Sequence, residues 1–420
     1  MRIVTSLALV GFMAVLMPSV AHAGRSPAWV RDYIATYATA RNSAASHALI
    51  PAWARKYNMN CSGCHYPAAP RLNATGLRFR WAGYRMPEEM GEKIDVNQLS
   101  NYISLRGRMR YDYSKTENQP ASTSSFTFND VTLFYGGPLG RRFAAFAELE
   151  REPSGEVGLV ANILGIWGTE NRYGGFRAGQ MHWLQRDGVA GFERPTGIRT
   201  PTPFGGKLTG GTNSIPFAFA TDQLGVEWFY VSGRNRVSAE VLNGIGPNGS
   251  AGPTDLDPEK DLVVTDQFLL DERGSGVTAV GYYGTVKGIN VGAATLRSHF
   301  MRVGLTANKI VSNFELLGGF AWGKDKDLPL ATADIKGMGY WVSGQYMFAK
   351  SSLTVFGRYE FVDPNTDVAD NGTRRFVLGS VVPVGLPEYL RFALEGALDV
   401  PQASAAPKKT GLTAELMLNF

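Results

Sequence analysis

The sequence predicts an all-β fold, a transmembrane antiparallel β-barrel of about sixteen strands. Long segments alternate apolar and polar residues with a period of two, which places alternate side chains on opposite faces of a strand. Beyond the N-terminus, no segment has the roughly 20 consecutive apolar residues of a membrane-spanning helix. The chain of 420 residues contains 49 glycines and 17 tyrosines. Its mean hydropathy of −0.13 agrees with strands that turn one face to lipid and one to a wet lumen.

The alternation is clearest in the last segment. Leu412, Ala414, Leu416, Leu418 and Phe420 share one face, and Thr413, Glu415, Met417 and Asn419 share the other. Alternating strands of about ten residues are typical of membrane barrels, whereas strands of soluble proteins average nearer 5–6 residues. A last strand that ends on Phe also resembles the insertion signal of bacterial outer-membrane proteins. The pattern therefore favours an outer-membrane barrel over a soluble β protein.

The predicted strands number sixteen, an even number, as in single-chain bacterial barrels. They are 101–113, 125–135, 140–150, 156–166, 172–180, 222–232, 235–243, 275–286, 289–296, 301–309, 312–322, 336–348, 352–362, 373–381, 389–400 and 410–420. Two stretches, 181–221 and 244–274, interrupt the alternation and are rich in Gly, Pro, Asn, Asp and Thr. They are expected to be long extracellular loops or segments folded into the lumen.

The N-terminus has the features of a secretory signal peptide. Arg2 precedes a largely apolar run, Ile3–Met17, and Ala21-His22-Ala23 is an A-x-A cleavage site. The predicted organisation is a signal peptide, 1–23, a second N-terminal segment, 24–95, and an outer-membrane barrel, 96–420. A net charge of only +5, from 42 basic and 37 acidic residues, makes nucleic acid a poor candidate partner.

The role of the segment 24–95 is predicted from one motif, Cys61-Ser62-Gly63-Cys64-His65. The spacing C-x-x-C-H is the attachment signature of c-type haem. Each thiol adds to a haem vinyl group, and the histidine binds iron as the proximal ligand. A zinc or redox site is the alternative, but it fits poorly in an exported chain whose two cysteines both lie in this motif. The predicted cofactor is one covalently attached haem c, and residues 24–95 are the predicted monohaem cytochrome c segment.

The sixth iron ligand is less well defined by the sequence. Met86 lies 21 residues after His65, just past Gly83-Tyr84, and is the preferred candidate. Met90, Met59 and His47 are the other candidates, although Met59 lies too close to Cys61 to fold back easily. A methionine would raise the reduction potential and a histidine would lower it. Five-coordinate iron is the remaining alternative, with Met86 packed at the haem edge.

Several charged residues are candidates for holding the cytochrome segment in the barrel. Those within the segment are Arg71, Arg78, Arg80 and Arg85. They are expected to pair with haem propionates or barrel carboxylates, or to remain solvated. On the polar face of the first strand, Arg106, Arg108 and Arg110 are expected to clamp the segment electrostatically. In a simple porin they would instead favour anions.

Two histidines and several acids are weaker candidates for contact with iron. His182 and His299 are isolated in the sequence, and isolated histidines are more often structural. The acidic residues in predicted loops are Asp255, Asp257, Glu259, Asp261, Asp325 and Asp327. They are expected to attract cations or simply to be solvated.

The haem motif is part of a longer resemblance. The residues that carry it are Pro51-Ala52-Trp53-Ala54-Arg55-Lys56-Tyr57, Met59-Asn60 and the motif itself, followed by Pro70-Arg71-Leu72-Asn73, Gly76, Phe79 and Gly83-Tyr84. This run resembles the fused cytochrome–porin family, which includes outer-membrane iron oxidases of iron(II)-oxidising bacteria. The resemblance implies a small helical haem segment that plugs the lumen of a sixteen-stranded barrel.

The resemblance also implies a function. The chain would take one electron from extracellular Fe(II) and pass it to a periplasmic c-type cytochrome or copper protein, with outer-membrane lipid around the barrel. As an enzyme it would be an oxidoreductase acting on Fe(II). A porin for small solutes, gated by the haem segment, is one alternative, and export of electrons to an extracellular acceptor is another.

Overall fold

The computed structural model describes residues 52–59, 61–66, 70–92, 99–181, 194–210, 215, 217–219, 222–244, 258–291, 294–328, 333–348, 353–384 and 390–419. The predicted signal peptide and the candidates His47, His182, Asp255 and Asp257 lie outside these residues. Among the residues described, no helix is long and apolar enough to cross a bilayer.

The described residues form sixteen antiparallel strands in one closed barrel, in which each strand pairs with its sequence neighbours. The strands are β1 Ile103–Thr116, β2 Ser122–Pro138, β3 Phe143–Arg151, β4 Val157–Thr169, β5 Arg172–Met181, β6 Gln223–Ser232, β7 Asn235–Leu242, β8 Asp261–Leu269, β9 Gly276–Val291, β10 Ala294–Val311, β11 Phe314–Lys326, β12 Ile335–Met347, β13 Thr354–Asp363, β14 Thr373–Val384, β15 Leu390–Pro401 and β16 Lys409–Asn419. Pairing of β1 with β16, from Arg106 opposite Asn419 to Thr116 opposite Lys409, closes the barrel. The predicted barrel of sixteen strands is confirmed.

One predicted strand and one predicted loop are wrong. β8 lies within 244–274, which the sequence assigns to a loop. Its outward face carries Asp266 between apolar residues, so the apolar alternation that marks a strand is interrupted there. The predicted strand 289–296 is not separate, because β9 extends to Val291 and β10 begins at Ala294. The two errors cancel in the count.

The outward face of the barrel is apolar. Large side chains such as Phe128, Leu378 and Val264 are more than half exposed. Aromatic side chains also ring one end of the barrel; they are Phe143, Trp167, Tyr230, Phe268, Phe314, Tyr346, Phe348 and Phe392. An apolar band with an aromatic girdle at its edge is the lipid-facing surface of a bacterial outer-membrane barrel. The predicted outer-membrane location is confirmed.

The inward face is polar and densely charged. Arg236 and Arg177 both pair with Glu227, and Arg302 pairs with Asp325 at 2.7 Å. All of these side chains are almost completely buried. Burying an ion pair costs desolvation free energy unless its hydrogen bonds are well made. These pairs therefore belong to a filled interior and not to a wide aqueous channel.

The two ends of the barrel differ in their connections. The turns 139–142, 170–171, 233–234, 270–275 and 312–313 are short and lie at the end with the aromatic girdle. The longest connections, 182–222 and 243–260, lie at the opposite end. In bacterial barrels the short turns face the periplasm and the long loops face the exterior. The two ends are called the turn end and the loop end below.

The connection between β5 and β6 folds inward over its described part, which contains helix α3, Thr202–Gly205. Three of its backbone N–H groups donate to buried carboxylates on the barrel wall. The bonds run from Ile198 to Glu395 at 2.9 Å, from Thr202 to Glu360 at 2.7 Å and from Ile215 to Asp325 at 2.9 Å. This connection, 194–219 in its described part, is called the inner loop. The expectation of a loop folded into the lumen is confirmed for it.

The segment before the barrel is short and helical, as predicted. Helix α1 spans Ala52–Tyr57 and helix α2 spans Ala74–Trp81. Single 3-10 turns lie at Cys61–Gly63, Pro87–Glu89 and Leu99–Asn101.

Candidate haem-attachment site

The motif Cys61–His65 folds into one tight turn, here called the attachment turn. The N–H groups of Cys64 and His65 both donate to the carbonyl oxygen of Cys61, at 3.1 and 2.9 Å. Both cysteines are unbridged and half-buried. The turn therefore carries two thiols outside any disulfide and an imidazole within five residues, the donor set that c-type haem requires.

The imidazole of His65 is already oriented. Its Nδ1 lies 2.9 Å from the carbonyl oxygen of Arg71. Because a carbonyl only accepts, Nδ1 carries the proton and Nε2 keeps a lone pair for a metal. Burial lowers the pKa of His65, and the carbonyl acceptor only partly offsets this. The ring is thus in the neutral tautomer that binds iron.

The thiol of Cys64 lies in a buried setting that disfavours the thiolate. Burial raises its pKa to about 11. Redox-active cysteines depend on a lowered thiol pKa. Within the part of the chain that the structure describes, no group of three or more His, Cys, Asp or Glu side chains is placed to hold a metal ion.

Asn73 and Gly76 shape the attachment turn. The Asn73 side chain caps α2 by accepting from the N–H of Gly76 at 3.0 Å. Its amide donates to the carbonyls of Ser62 and Gly63, at 3.1 Å each. A Cβ on Gly76 would lie 2.3 Å from the Cys64 carbonyl oxygen. Helix α2 and the attachment turn are therefore held as one unit, with glycine required at their contact.

The segment that carries the attachment turn contacts the barrel at its turn end. The indole N–H of Trp53 donates to the carbonyl of Gly136 at 2.6 Å, and that of Trp81 donates to the side chain of Gln267 at 3.0 Å. The guanidinium of Arg85 donates to the carbonyls of Arg141 and Phe143 at 3.0 and 2.9 Å. Arg78 forms an ion pair with Glu272 at 2.9 Å. Each barrel partner lies in a short turn or close to one. The expected pairing of segment arginines with barrel carboxylates is confirmed for Arg78.

Aromatic stacking adds to these contacts. The ring of Tyr84 lies between Trp53 and Phe146, with centroid distances of 5.7 and 5.4 Å. Gly83 and Tyr84 both have positive φ angles, 74° and 60°. This left-handed pair turns the chain after α2 so that the Tyr84 ring reaches the barrel wall. Tyr84 thus packs between helix α1 and strand β3.

Arg71 makes a deeply buried ion pair with the barrel wall. Its guanidinium pairs with Glu315 on β11 through both terminal nitrogens. The Arg71 and Glu315 side chains are 4% and 0% exposed. Arg80 is also buried, on the same segment. Arg71 therefore belongs to the packed interior, not to a solvated surface.

The candidate distal ligands lie in different settings. Met59 packs against the attachment turn itself. Its terminal methyl group lies so close to Gly63 that a Cβ at residue 63 would be only 2.6 Å away. Met86 and Met90 are half-buried against the aromatic cluster that includes Phe79 and Tyr84. Met86 remains the predicted distal ligand.

The arginines of β1 pair with the barrel wall. Arg106 and Arg108 contact Asp130, and Arg110 contacts Glu415 at 2.6 Å. These partners lie on β2 and β16 and not on the cytochrome segment. The expected electrostatic clamp on the segment is therefore absent from the ion pairs of the described residues.

Those weaker candidates that the structure describes lie apart from one another. His299 lies on the lipid-facing side of β10, near Tyr283 and Thr285. Asp261 and Asp325, expected in solvated loops, are fully buried on the inward face of β8 and β11. Glu259 pairs with Arg297 at 2.6 Å. The sequence misplaces these two aspartates because β8 is missed and because β11 continues to Lys326.

An open cavity of about 190 Å³ remains on the inner wall near the loop end. It lies between β1, β2, β14, β15, β16 and the inner loop. Its charged lining residues form two pairs, Arg199 with Asp112 at 2.7 Å and Arg375 with Asp399 at 2.5 Å, beside Lys409. The cavity is polar and lies at the opposite end of the barrel from the contacts of the cytochrome segment.

Comparison with known proteins identifies the fold. No protein-family model and no curated protein sequence matches the chain. The anion-selective porin from Comamonas acidovorans superposes with a TM-score of 0.53 at 14% identity, over 76% of this chain and 99% of the porin. OmpT, an outer membrane protein of Vibrio cholerae, superposes with a TM-score of 0.51 at 16% identity, over 76% and 97%. The chain thus has the barrel fold of outer-membrane porins.

Proposed function

We propose that the chain is an outer-membrane electron-transfer cytochrome of the fused cytochrome–porin kind. Cys61 and Cys64 hold one haem c through thioether bonds, and His65 is its proximal ligand. The segment 52–92 is the plug that carries this haem in the turn end of the barrel. When bound, the haem supplies one-electron chemistry: an extracellular Fe(II) becomes Fe(III), and a periplasmic c-type cytochrome or copper protein gains the electron.

The observation that carries this proposal is the geometry of the attachment turn. Two thiols outside any disulfide lie one turn apart, and the Arg71 carbonyl holds the His65 ring through Nδ1, which leaves Nε2 to face a metal. A metal-binding histidine usually donates its other nitrogen to such a backbone carbonyl. No role in a simple pore requires this arrangement.

The position of the segment supports exchange of electrons with a periplasmic partner. Its contacts lie at the turn end, and the turn end faces the periplasm. The apolar band of a barrel is about 25 Å tall and does not conduct electrons. A carrier in the lumen at the periplasmic end is accessible to a soluble periplasmic acceptor.

The proposal is tested by stopped-flow absorbance of the oxidised, detergent-purified protein mixed with Fe(II) at two pH values. Rapid appearance of the α-band of a reduced c-type haem is expected. Reduction by dithionite but not by Fe(II) would contradict Fe(II) as donor and would favour outward electron export. A Cys61→Ser/Cys64→Ser variant, which lacks both attachment thiols, is the control for covalent haem.

A porin for small solutes is the second candidate function, and the fold and the loop-end cavity favour it. Its cationic residues Arg199, Arg375 and Lys409 outnumber Asp112 and Asp399, so anions would be preferred. Planar-bilayer recording separates the two functions. The electron-transfer proposal predicts no stable single-channel conductance, whereas regular conductance steps from haem-loaded protein would favour the porin.

A further inference from the structure

Arg71 makes two contacts that connect the barrel wall to the proximal histidine. Its backbone carbonyl accepts from Nδ1 of His65 at 2.9 Å. Its guanidinium is fixed on Glu315 by a two-pronged pair of hydrogen bonds. The backbone and the side chain of one residue thus join the imidazole to strand β11.

Glu315 is itself held from both sides on the wall. Asn308 on β10 donates to its Oε1 at 2.6 Å, and Gln345 on β12 donates to its Oε2. The carboxylate therefore has partners on both neighbouring strands as well as Arg71, and its side chain is 0% exposed. Removing one member of such a buried pair leaves an uncompensated charge. The position of the Arg71 guanidinium is consequently set by the barrel.

We propose that Glu315 is a positioning residue for the proximal haem ligand. Through Arg71 it fixes the carbonyl that orients His65, so that the barrel wall completes the haem site. This inference rests on the proposed function only in requiring a haem on the attachment turn. Hydrogen bonding to the second nitrogen of a ligating histidine sets its orientation and its strength as a donor. The wall therefore tunes the haem from a strand 244 residues away in sequence.

The chain offers a matched control. Arg78 and Glu272 also form an Arg–Glu pair between this segment and the barrel, at 2.9 Å. Their side chains are 31% and 41% exposed, so the pair contributes little to stability. The Arg78 carbonyl accepts from the N–H of Ala82, at the end of α2, and not from His65. Breaking this pair changes an anchor without touching the histidine.

The test compares Glu315→Gln with Glu272→Gln in the haem-loaded protein. The readouts are the midpoint reduction potential, from a dithionite titration, and the g-values of the ferric haem by electron paramagnetic resonance. Glu315→Gln is expected to raise the potential. The uncompensated charge of Arg71 disfavours the ferric state, and a less firmly held Nδ1 hydrogen bond weakens the imidazole as a donor. Glu272→Gln is expected to leave both readouts unchanged.

A second variant keeps the inference testable if Glu315→Gln does not fold. The double variant Arg71→Met/Glu315→Leu replaces the buried pair by apolar side chains, which such pairs often tolerate. The variant keeps a backbone carbonyl at residue 71 but removes the ion pair that holds this residue on the barrel wall. Altered g-values are therefore expected. Wild-type g-values in the double variant, or equal potentials in Glu315→Gln and Glu272→Gln, would overturn the inference. Absence of covalent haem from the wild type would instead contradict the proposed function, whatever the variants do.

Discussion

At residue 76, helix α2 passes so close to the attachment turn that a side chain has no room. A Cβ there would lie 2.3 Å from the Cys64 carbonyl oxygen and 2.8 Å from Leu72. Overpacking of this kind costs about 1–3 kcal/mol. Gly76→Ala is expected to lower the yield of covalently attached haem, measured by the pyridine haemochrome spectrum. Gly140→Ala, where a Cβ meets nothing within 4 Å, is expected to load haem normally; equal losses in both variants would contradict this account.

Met86 is the residue whose predicted role most needs a direct test. If its thioether binds the iron, Met86→Leu removes the methionine-to-iron charge-transfer band of the ferric protein and lowers the potential. Met90→Leu is the matched control, since Met90 packs against the same aromatic cluster. An unchanged ferric spectrum in Met86→Leu would contradict the assignment, and loss of the band in Met90→Leu would transfer it to Met90.

At the scale of elements, Glu89 ties helix α1 to the 3-10 turn that follows α2. It accepts from Tyr57 at 2.5 Å, from Lys56 at 3.1 Å and from the N–H of Met86 at 3.0 Å. Burial alone would raise the pKa of Glu89, but these donors outweigh it and hold the pKa below its usual value of 4.5. A carboxyl whose pKa is lowered by folding stabilises the native state above the unfolded pKa. That stabilisation is lost as the pH falls through the lower, folded pKa.

Glu89→Gln is therefore expected to remove a pH-dependent part of the stability. Near pH 6 the wild type should melt at a higher temperature than the variant, measured by circular dichroism in the haem Soret band. The gap should shrink as the pH falls below about 4.5, where the carboxylate is progressively protonated. Barrel carboxylates titrate in both proteins, so the difference reports Glu89. A gap that stays constant down to pH 3 would contradict the assignment.

The inner loop depends on Gly197. Its φ of 67° is unfavourable for other residues, and a Cβ would lie 2.3 Å from the Phe356 ring and 2.5 Å from Glu395. Gly197→Ala is expected to displace the loop from the wall and to make it susceptible to limited proteolysis in the folded protein. Gly281→Ala, on the open outer surface of β9, is the control and is expected to be cleaved no faster than the wild type. Equal cleavage rates in the two variants would show that Gly197 does not hold the loop on the wall.

The sequence predicts best those parts of the site in which the interacting residues are close in the chain. The haem-attachment motif lies within 61–65, and the sequence predicts its role from those residues alone. The contact of Arg71 with Glu315 is not predicted, because it depends on the register of β10, β11 and β12 around the closed barrel. Asp261 and Asp325 were misassigned for a related reason, since inward carboxylates of a polar lumen do not differ in sequence from loop acids.

At the scale of the whole molecule, the apolar side chains on the outward face determine that lipid surrounds the barrel. Leu378 lies near the middle of β14 and is 73% exposed. Leu378→Arg is expected to destabilise the barrel by about 2–4 kcal/mol in phospholipid vesicles, because a cation at the bilayer midplane is costly. The measurement is the midpoint of guanidinium unfolding.

Leu398→Arg places the same cation nearer the loop end of β15 and is the control. A cost of about 0–1 kcal/mol is expected there, because charged side chains near the interface are tolerated. Equal destabilisation at the two positions would contradict the placement of the membrane band along the strands.

The electron-transfer account depends first on whether this barrel carries a haem. The most direct measurement is the intact mass and pyridine haemochrome spectrum of the protein purified from outer membranes of a host that matures c-type cytochromes. One covalently bound haem per chain is expected, absent from Cys61→Ser/Cys64→Ser and with the barrel still folded in that variant. A folded wild-type barrel without haem, made beside a correctly loaded control cytochrome, would contradict the account and leave a porin.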